Sequence, residues 1–197
     1  MAVVNDLEKI VAWLQENVCA GYKLKMPDDR TPGEKYQYKL VEPTAWPLYI
    51  PTAERMPKTV VAPYPCILVR IVQGEEFPKE GTETLDIILN FVIWNPGQHG
   101  PDVFTTNDGE NYQQQCLEAF VRNMDGWKDT WSFIDRTARI IRGAEYIAGM
   151  RVLTEKGLKY GPANEADTLN EMYPYWAAYL QFSLSRGCTP AHFDDLL

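Results

Sequence analysis

The stretch Tyr173-Pro174-Tyr175-Trp176-Ala177-Ala178-Tyr179-Leu180-Gln181-Phe182-Ser183-Leu184-Ser185 decides the architecture. Trp176, Ala178, Leu180, Phe182 and Leu184 alternate with Ala177, Tyr179, Gln181 and Ser183, the period of a strand with one greasy and one mixed face. Such a strand belongs to an antiparallel sheet with a single core side. Pro174 biases Tyr173 away from helix and so launches the strand. A similar launch stands far upstream in Tyr64-Pro65-Cys66-Ile67-Leu68-Val69-Arg70-Ile71.

Working outward, Pro65 to Val72 and Thr84 to Trp94 read as a strand pair joined by an acidic turn, Gly74 to Gly81. Leu85, Ile87, Leu89, Phe91 and Ile93 share one face of the second strand, and its other face is also substantially apolar. That pattern predicts a central strand covered on two sides. Asn95-Pro96-Gly97 stops it. A helix is predicted over Trp127 to Arg142, with Trp131, Ile134, Ala138 and Ile141 as its stripe, Trp127 leading in and Gly143 ending it. Roughly Met150 to Tyr160 is the strand before the last one. An amphipathic helix over Asp6 to Val18 opens the chain, with Asn5 and Glu8 placed as a capping box. A second helix is predicted at 111–123. From Gly21 to Ala62 the chain reads as a proline-rich excursion holding one hairpin around Tyr36 to Trp46. Trp46, Tyr49 and Ile50 are costly to leave in water, so the excursion is expected to dock rather than to float. The fold class expected is α+β: one domain over residues 1–197, with a four-stranded, mostly antiparallel sheet covered by helices.

Composition narrows the functions. The 197 residues are 45% hydrophobic and 23% charged, with a net charge of −8. Their basic concentrations are Lys23 with Lys25, and Arg136, Arg139 and Arg142 at helical spacing, read as a solvated face or a subunit contact. Tight nucleic-acid binding requires a denser basic set. The N-terminus lacks the basic and apolar runs of a signal peptide, and no stretch reaches the ~20 apolar residues of a membrane span. The expectation is a reduced, cytoplasmic, membrane-free protein. Cys19, Cys66, Cys116 and Cys188 form no closely spaced pair, and Cys66 and Cys116 read as small core residues.

Catalytic signals are thin. His99 and His192 lack partners at zinc-ligand spacing and read as exposed loop residues. Asp102, Asp108 and Glu110 share a loop that could hold a hard cation weakly, but without the spacing of a calcium loop they read as solvated acids. Glycine-rich phosphate cradles and the Gly-x-Ser-x-Gly elbow are absent, and Ser132, Ser183 and Ser185 do not follow a strand-to-helix elbow. Ser183 and Ser185 read as solvent- or interface-facing, and Trp127 and Trp131 as core. No catalytic, cofactor-binding or metal residue is assigned, and no enzyme activity or cofactor is expected.

Four segments together carry a resemblance. They are Pro63-Tyr64-Pro65, the turn Gln73-Gly74-Glu75-Glu76, the helix lead-in Gly126-Trp127-Lys128-Asp129, and Tyr173-Pro174-Tyr175-Trp176. With the first helix they span about half the chain, Val61 to Asn95 and Gly126 to Ser185. In this combination the chain resembles the tail-terminator, or tail-completion, proteins of long-tailed bacteriophages and prophages. The excursion at 21–62 and the helix at 111–123 lie outside the resemblance. It implies a structural subunit of the virion tail or neck, assembled in the host cytoplasm. Such a subunit forms a hexameric ring that caps the tail tube, stops its polymerisation and joins the tail to the head connector. Its implied partners are its own copies, the tube protein and the connector protein, and DNA passes through the lumen without tight binding. Six copies at −8 each give −48, compatible with a lumen that does not retain DNA. The alternatives are a head-completion or tube-like phage structural protein, or a small enzyme or ligand-binding module whose site is built from loops.

Overall fold

Alternation in the two long apolar strands fixes the centre of the molecule. The computed structural model describes residues 2–27, 38–50, 52, 55, 62–97, 124–163 and 174–187. Among these, helix α1 spans Ala2–Leu14 and helix α2 Trp127–Gly143. The strands are β1 (Leu24–Pro27), β2 (Tyr38–Val41), β3 (Thr44–Pro47), β4 (Cys66–Phe77), β5 (Thr82–Trp94), β6 (Tyr146–Ile147), β7 (Met150–Val152), β8 (Lys159–Pro162) and β9 (Tyr175–Gly187).

The sheet differs from the expected one. It has seven strands, in the order β3-β4-β5-β9-β7-β6, with β8 also paired to β9. It is mixed, because β3 runs parallel to β4 while the other pairings are antiparallel. Strand content dominates and two helices accompany it among the described residues, so the four-stranded, helix-covered sandwich is corrected. The extra strands come from short segments with too few residues to show a period. The hairpin expected around 36–46 is corrected as well: β2 pairs with β1 in a separate two-stranded sheet, and β3 joins the main one. The expected strand from Met150 to Tyr160 is broken into β7 and β8 by a 3-10 turn, Thr154–Lys156. Both pieces still line the same flank of β9. The helix expected at 111–123 lies outside the described residues.

The core sits on one face of the sheet. Ile67 and Val69 of β4, Leu85 to Ile93 at alternate positions of β5, and Ala178, Leu180, Phe182 and Leu184 of β9 are buried there. They meet Leu7, Ile10, Leu14 and Val18 from the first helical segment, and Phe133, Ile134, Ala138 and Ile141 from α2. Each such Leu, Ile or Phe side chain contributes about 1.5–3 kcal/mol by leaving water. The Phe91 and Phe133 rings meet edge to face at 5.2 Å, and Tyr22 stacks on Phe133 at 5.0 Å. On the opposite face Leu68, Ile88, Val92 and Tyr179 are half-buried and Trp94 is fully buried. Every residue of β5 is buried or half-buried, so both faces are shielded from solvent, the core face completely and the other in part.

Helix α1 begins before Asn5, so Asn5 and Glu8 do not cap it, and the segment ends in a π turn, Gln15–Cys19. That turn carries Gln15 to the open side of β3. Its Nε2 donates to Pro43 O at 3.2 Å, and its Oε1 accepts from Ala45 N at 2.9 Å. One side-chain amide thus satisfies edge groups that a neighbouring strand would otherwise take. At the far end, Arg186 of β9 grips Glu83 through Nε at 2.6 Å and Nη2 at 2.5 Å, and its Nη1 donates to Asp6 of α1. Both carboxylates are buried. Burial works against the Arg186 charge, yet the hydrogen bonds and charges of Glu83 and Asp6 outweigh it, and its pKa moves up.

Candidate functional site

An apolar groove of about 560 Å³ runs between α2 and the flank made by β7, the 3-10 turn and β8. Ile134, Ala138 and Ile141 form its helix wall, and Val152, Leu153 and Leu158 form the opposite one. Trp131 and Tyr160 stand at its mouth with ring centroids 6.3 Å apart, edge to face. They are 36% and 60% exposed. Large exposed aromatics on a concave apolar surface mark a place where another surface docks. Asp135 and Arg142 supply the polar rim, and Arg142 Nε is turned back onto Ala138 O at 3.2 Å.

The helix places these side chains differently from the expected stripe. Thr130, Phe133 and Thr137 share the buried face with Ile134, Ala138 and Ile141. That face turns Trp131 to the groove mouth and leaves Trp127 45% exposed, so the core role expected for both tryptophans is corrected. The arginines at helical spacing do not form one solvated face. Arg136 Nε donates to Val18 O at 3.3 Å and its guanidinium lies 5.2 Å from the Tyr22 ring, while Arg139 pairs with Asp135 at 3.6 Å in the open.

A second cluster collects three of the four segments that carry the resemblance. Asn95, only 5% exposed, uses every polar group it has. Its Oδ1 accepts from Lys25 Nζ at 3.0 Å and from Gly97 N at 2.8 Å, and its Nδ2 donates to Asp129 Oδ2 at 2.6 Å. Its backbone N donates to Pro174 O at 3.0 Å, and its carbonyl accepts from Trp176 Nε1 at 2.8 Å. Gly126 closes the cluster: a Cβ there would stand 2.2 Å from Asn95 O and 2.3 Å from Trp176 Nε1. The Asn-Pro-Gly signal reads in sequence only as a strand stop. The Asx turn onto Gly97 accounts for that part, and the long-range partners leave no local trace. Nearby, Tyr64 and Tyr175 share a 2.8 Å hydroxyl contact.

His99, Asp102, Asp108, Glu110, His192, Cys116 and Cys188 lie outside the described residues. Among those described, no three His, Cys, Asp or Glu side chains are grouped to hold a metal, and no helix is long and apolar enough to cross a membrane. Cys19 and Cys66 are buried free thiols, and burial pushes both pKa values up to about 12. Ser183, expected at the surface, is buried and donates to Asp86 Oδ1 at 2.5 Å, while Ser185 is half-buried. No family model matches the chain, and no curated protein matches it.

Proposed function

We propose that this protein is a structural subunit of a phage or prophage tail, a ring-forming cap that ends the tube and meets the head connector. The observation that carries the reading is the apolar groove with Trp131 and Tyr160 at its mouth, a docking surface built on rigid elements. A closed ring of identical copies needs two different faces on each subunit, one presented to each neighbour. The groove supplies one, and the half-buried outer sheet face and hairpin lie elsewhere on the molecule. The resemblance in Pro63-Tyr64-Pro65, Gly126 to Asp129 and Tyr173 to Trp176 points the same way, and those segments converge around Asn95 and Tyr175.

Light scattering behind a sizing column, over a range of concentrations, tests the ring. Six subunits are expected, either in the free protein or on the ends of isolated tail tubes. Trp131→Glu is expected to weaken that assembly while leaving thermal unfolding near the parent value, because Trp131 is not in the core. A stable dimer, or a chain that neither closes a six-membered ring nor binds tube ends, overturns the proposal. A head-completion protein would instead bind connectors and leave tube ends bare.

A further inference from the structure

Besides the outer sides of β3 and β6, two stretches of sheet edge lack a strand neighbour among the described residues, and they lie on opposite flanks. On one flank β3 covers only Cys66 to Val69 of β4, and Leu48 N reaches Val69 O at 2.9 Å. Beyond that point β4 continues to Phe77 with β5 on its other side alone. Val72, at 59% exposure, Gln73, Glu75 and Glu76 are all exposed there. On the other flank β8 borders β9 and no further strand. Ala163 N donates to Ala177 O, so by alternation Gly161 and Lys159 also turn their backbone groups to β9. The backbone N–H and C=O of Tyr160 therefore face away from the sheet.

The two edges differ in charge. The distal half of β4 and its turn carry Glu75, Glu76, Lys79 and Glu80, a net −2. The segment from Met150 to Tyr160 carries Arg151, Glu155, Lys156 and Lys159, a net +2 in a chain whose total is −8. All of these side chains are exposed. The strand on the first edge is flanked by Phe77 and Pro78, and the second edge adjoins the apolar groove through Leu158 and Tyr160. Unpaired edges invite strand addition, and opposite charges facing across a pairing select the right one.

We infer that copies of this chain join head to tail by strand pairing, the distal half of β4 of one copy adding to the β8 edge of the next. Glu75 and Glu76 then lie toward Lys159 of the neighbour, with Arg151 further along the same flank in β7, and Phe77 toward its groove. The contact is heterologous, because the two edges are different surfaces, and it leaves one edge of each kind open until a ring closes. This inference rests on the ring reading and specifies the contact that would build it.

The test uses two charge-reversed full-length chains, E75K/E76K and R151E/K159E, with V72K as a second variant of the first edge. Every altered side chain is exposed, so circular dichroism and thermal unfolding are expected to match the parent chain. In sizing with light scattering, each variant alone is expected to be monomeric where the parent assembles. An equimolar mixture is expected to recover the parent assembly with the two variants alternating, because each variant's own edges repel while both contacts between unlike variants are complementary. A chain carrying all four reversals is expected to recover the parent assembly. A parent hexamer that both reversals leave intact overturns the edge contact and spares the ring. A parent chain that stays monomeric up to its solubility limit overturns the edge contact as a self-sufficient join, while binding to tube ends still decides the ring reading.

Discussion

The hydroxyls of Tyr64 and Tyr175 lie 2.8 Å apart, their rings edge to face at 5.0 Å, although the residues stand at the heads of strands far apart in sequence. Burial first, and then the bond to Tyr175, raises the Tyr64 pKa. Its neutral form is thus favoured in the folded chain, whereas the unfolded phenol ionises near 10. The stabilisation is complete below about pH 10 and declines as pH climbs above that value. Tyr64→Phe is expected to cost about 0.5–1.5 kcal/mol at neutral pH. It should also flatten the alkaline fall, as read from urea midpoints measured between neutral and strongly alkaline buffer. An unchanged alkaline slope would show that Tyr64 is not the group responsible.

Asn95→Ala removes an amide that joins β1, the first turn of α2 and the turn after β5 through Lys25, Asp129 and Gly97. Lys25 and Asp129 lose a partner in a half-buried setting, and a cost of about 2–4 kcal/mol is expected. Chemical denaturation measures it. A double-mutant cycle with Asp129→Ala should give a coupling of about 1 kcal/mol or more, since the two residues touch.

Gly126 and Gly143 bracket α2 and should respond oppositely to alanine. At Gly126 the new methyl meets the Asn95 carbonyl and the Trp176 indole, and neither is free to yield, so a loss of about 1–3 kcal/mol is expected. At Gly143 nothing lies within 4 Å, so alanine should be neutral or stabilise by up to about 1 kcal/mol. Melting temperatures of the two variants, compared side by side, decide this.

Arg186→Met leaves the carboxylates of Asp6 and Glu83 buried without their cation. Loss of one member of a buried ion set costs about 3–5 kcal/mol. Adding Glu83→Gln and Asp6→Asn to the same chain should recover a large part of that loss. If the single substitution is harmless by thermal melting, the triad does not hold α1 to the sheet.

Cys19 and Cys66 should resist alkylation in the folded protein. Their thiols are buried and held up to about 12 by that burial, so little thiolate forms near neutral pH. Iodoacetamide labelling followed by peptide mass mapping should find both unmodified in native buffer and modified in denaturant. Native labelling of Cys66 would mean that the start of β4 opens locally.

The alternation of β5 and β9 and the periodicity of α2 were legible because a long amphipathic segment repeats its signal many times. The same signals placed Leu85 to Ile93 and Leu180 to Leu184 in the core, and there the structure agrees. Short elements carry no such redundancy. Strands β3 and β6, with four and two residues, are set by whatever lies beside them, and with the split of one expected strand into β7 and β8 they turned an expected four-stranded sheet into a seven-stranded one. In α2 the buried face holds the expected Ile134, Ala138 and Ile141 and is wider than the apolar stripe, because Thr130, Phe133 and Thr137 are buried beside them while Trp131 is not. Tertiary structure alone joined Asn95 to Asp129 and Trp176, Gln15 to the edge of β3, and Arg186 to Asp6. It alone opened a groove beside Trp131. Local sequence sets which face of an element is apolar. What that face meets depends on contacts between distant segments, and no window of neighbouring residues contains them.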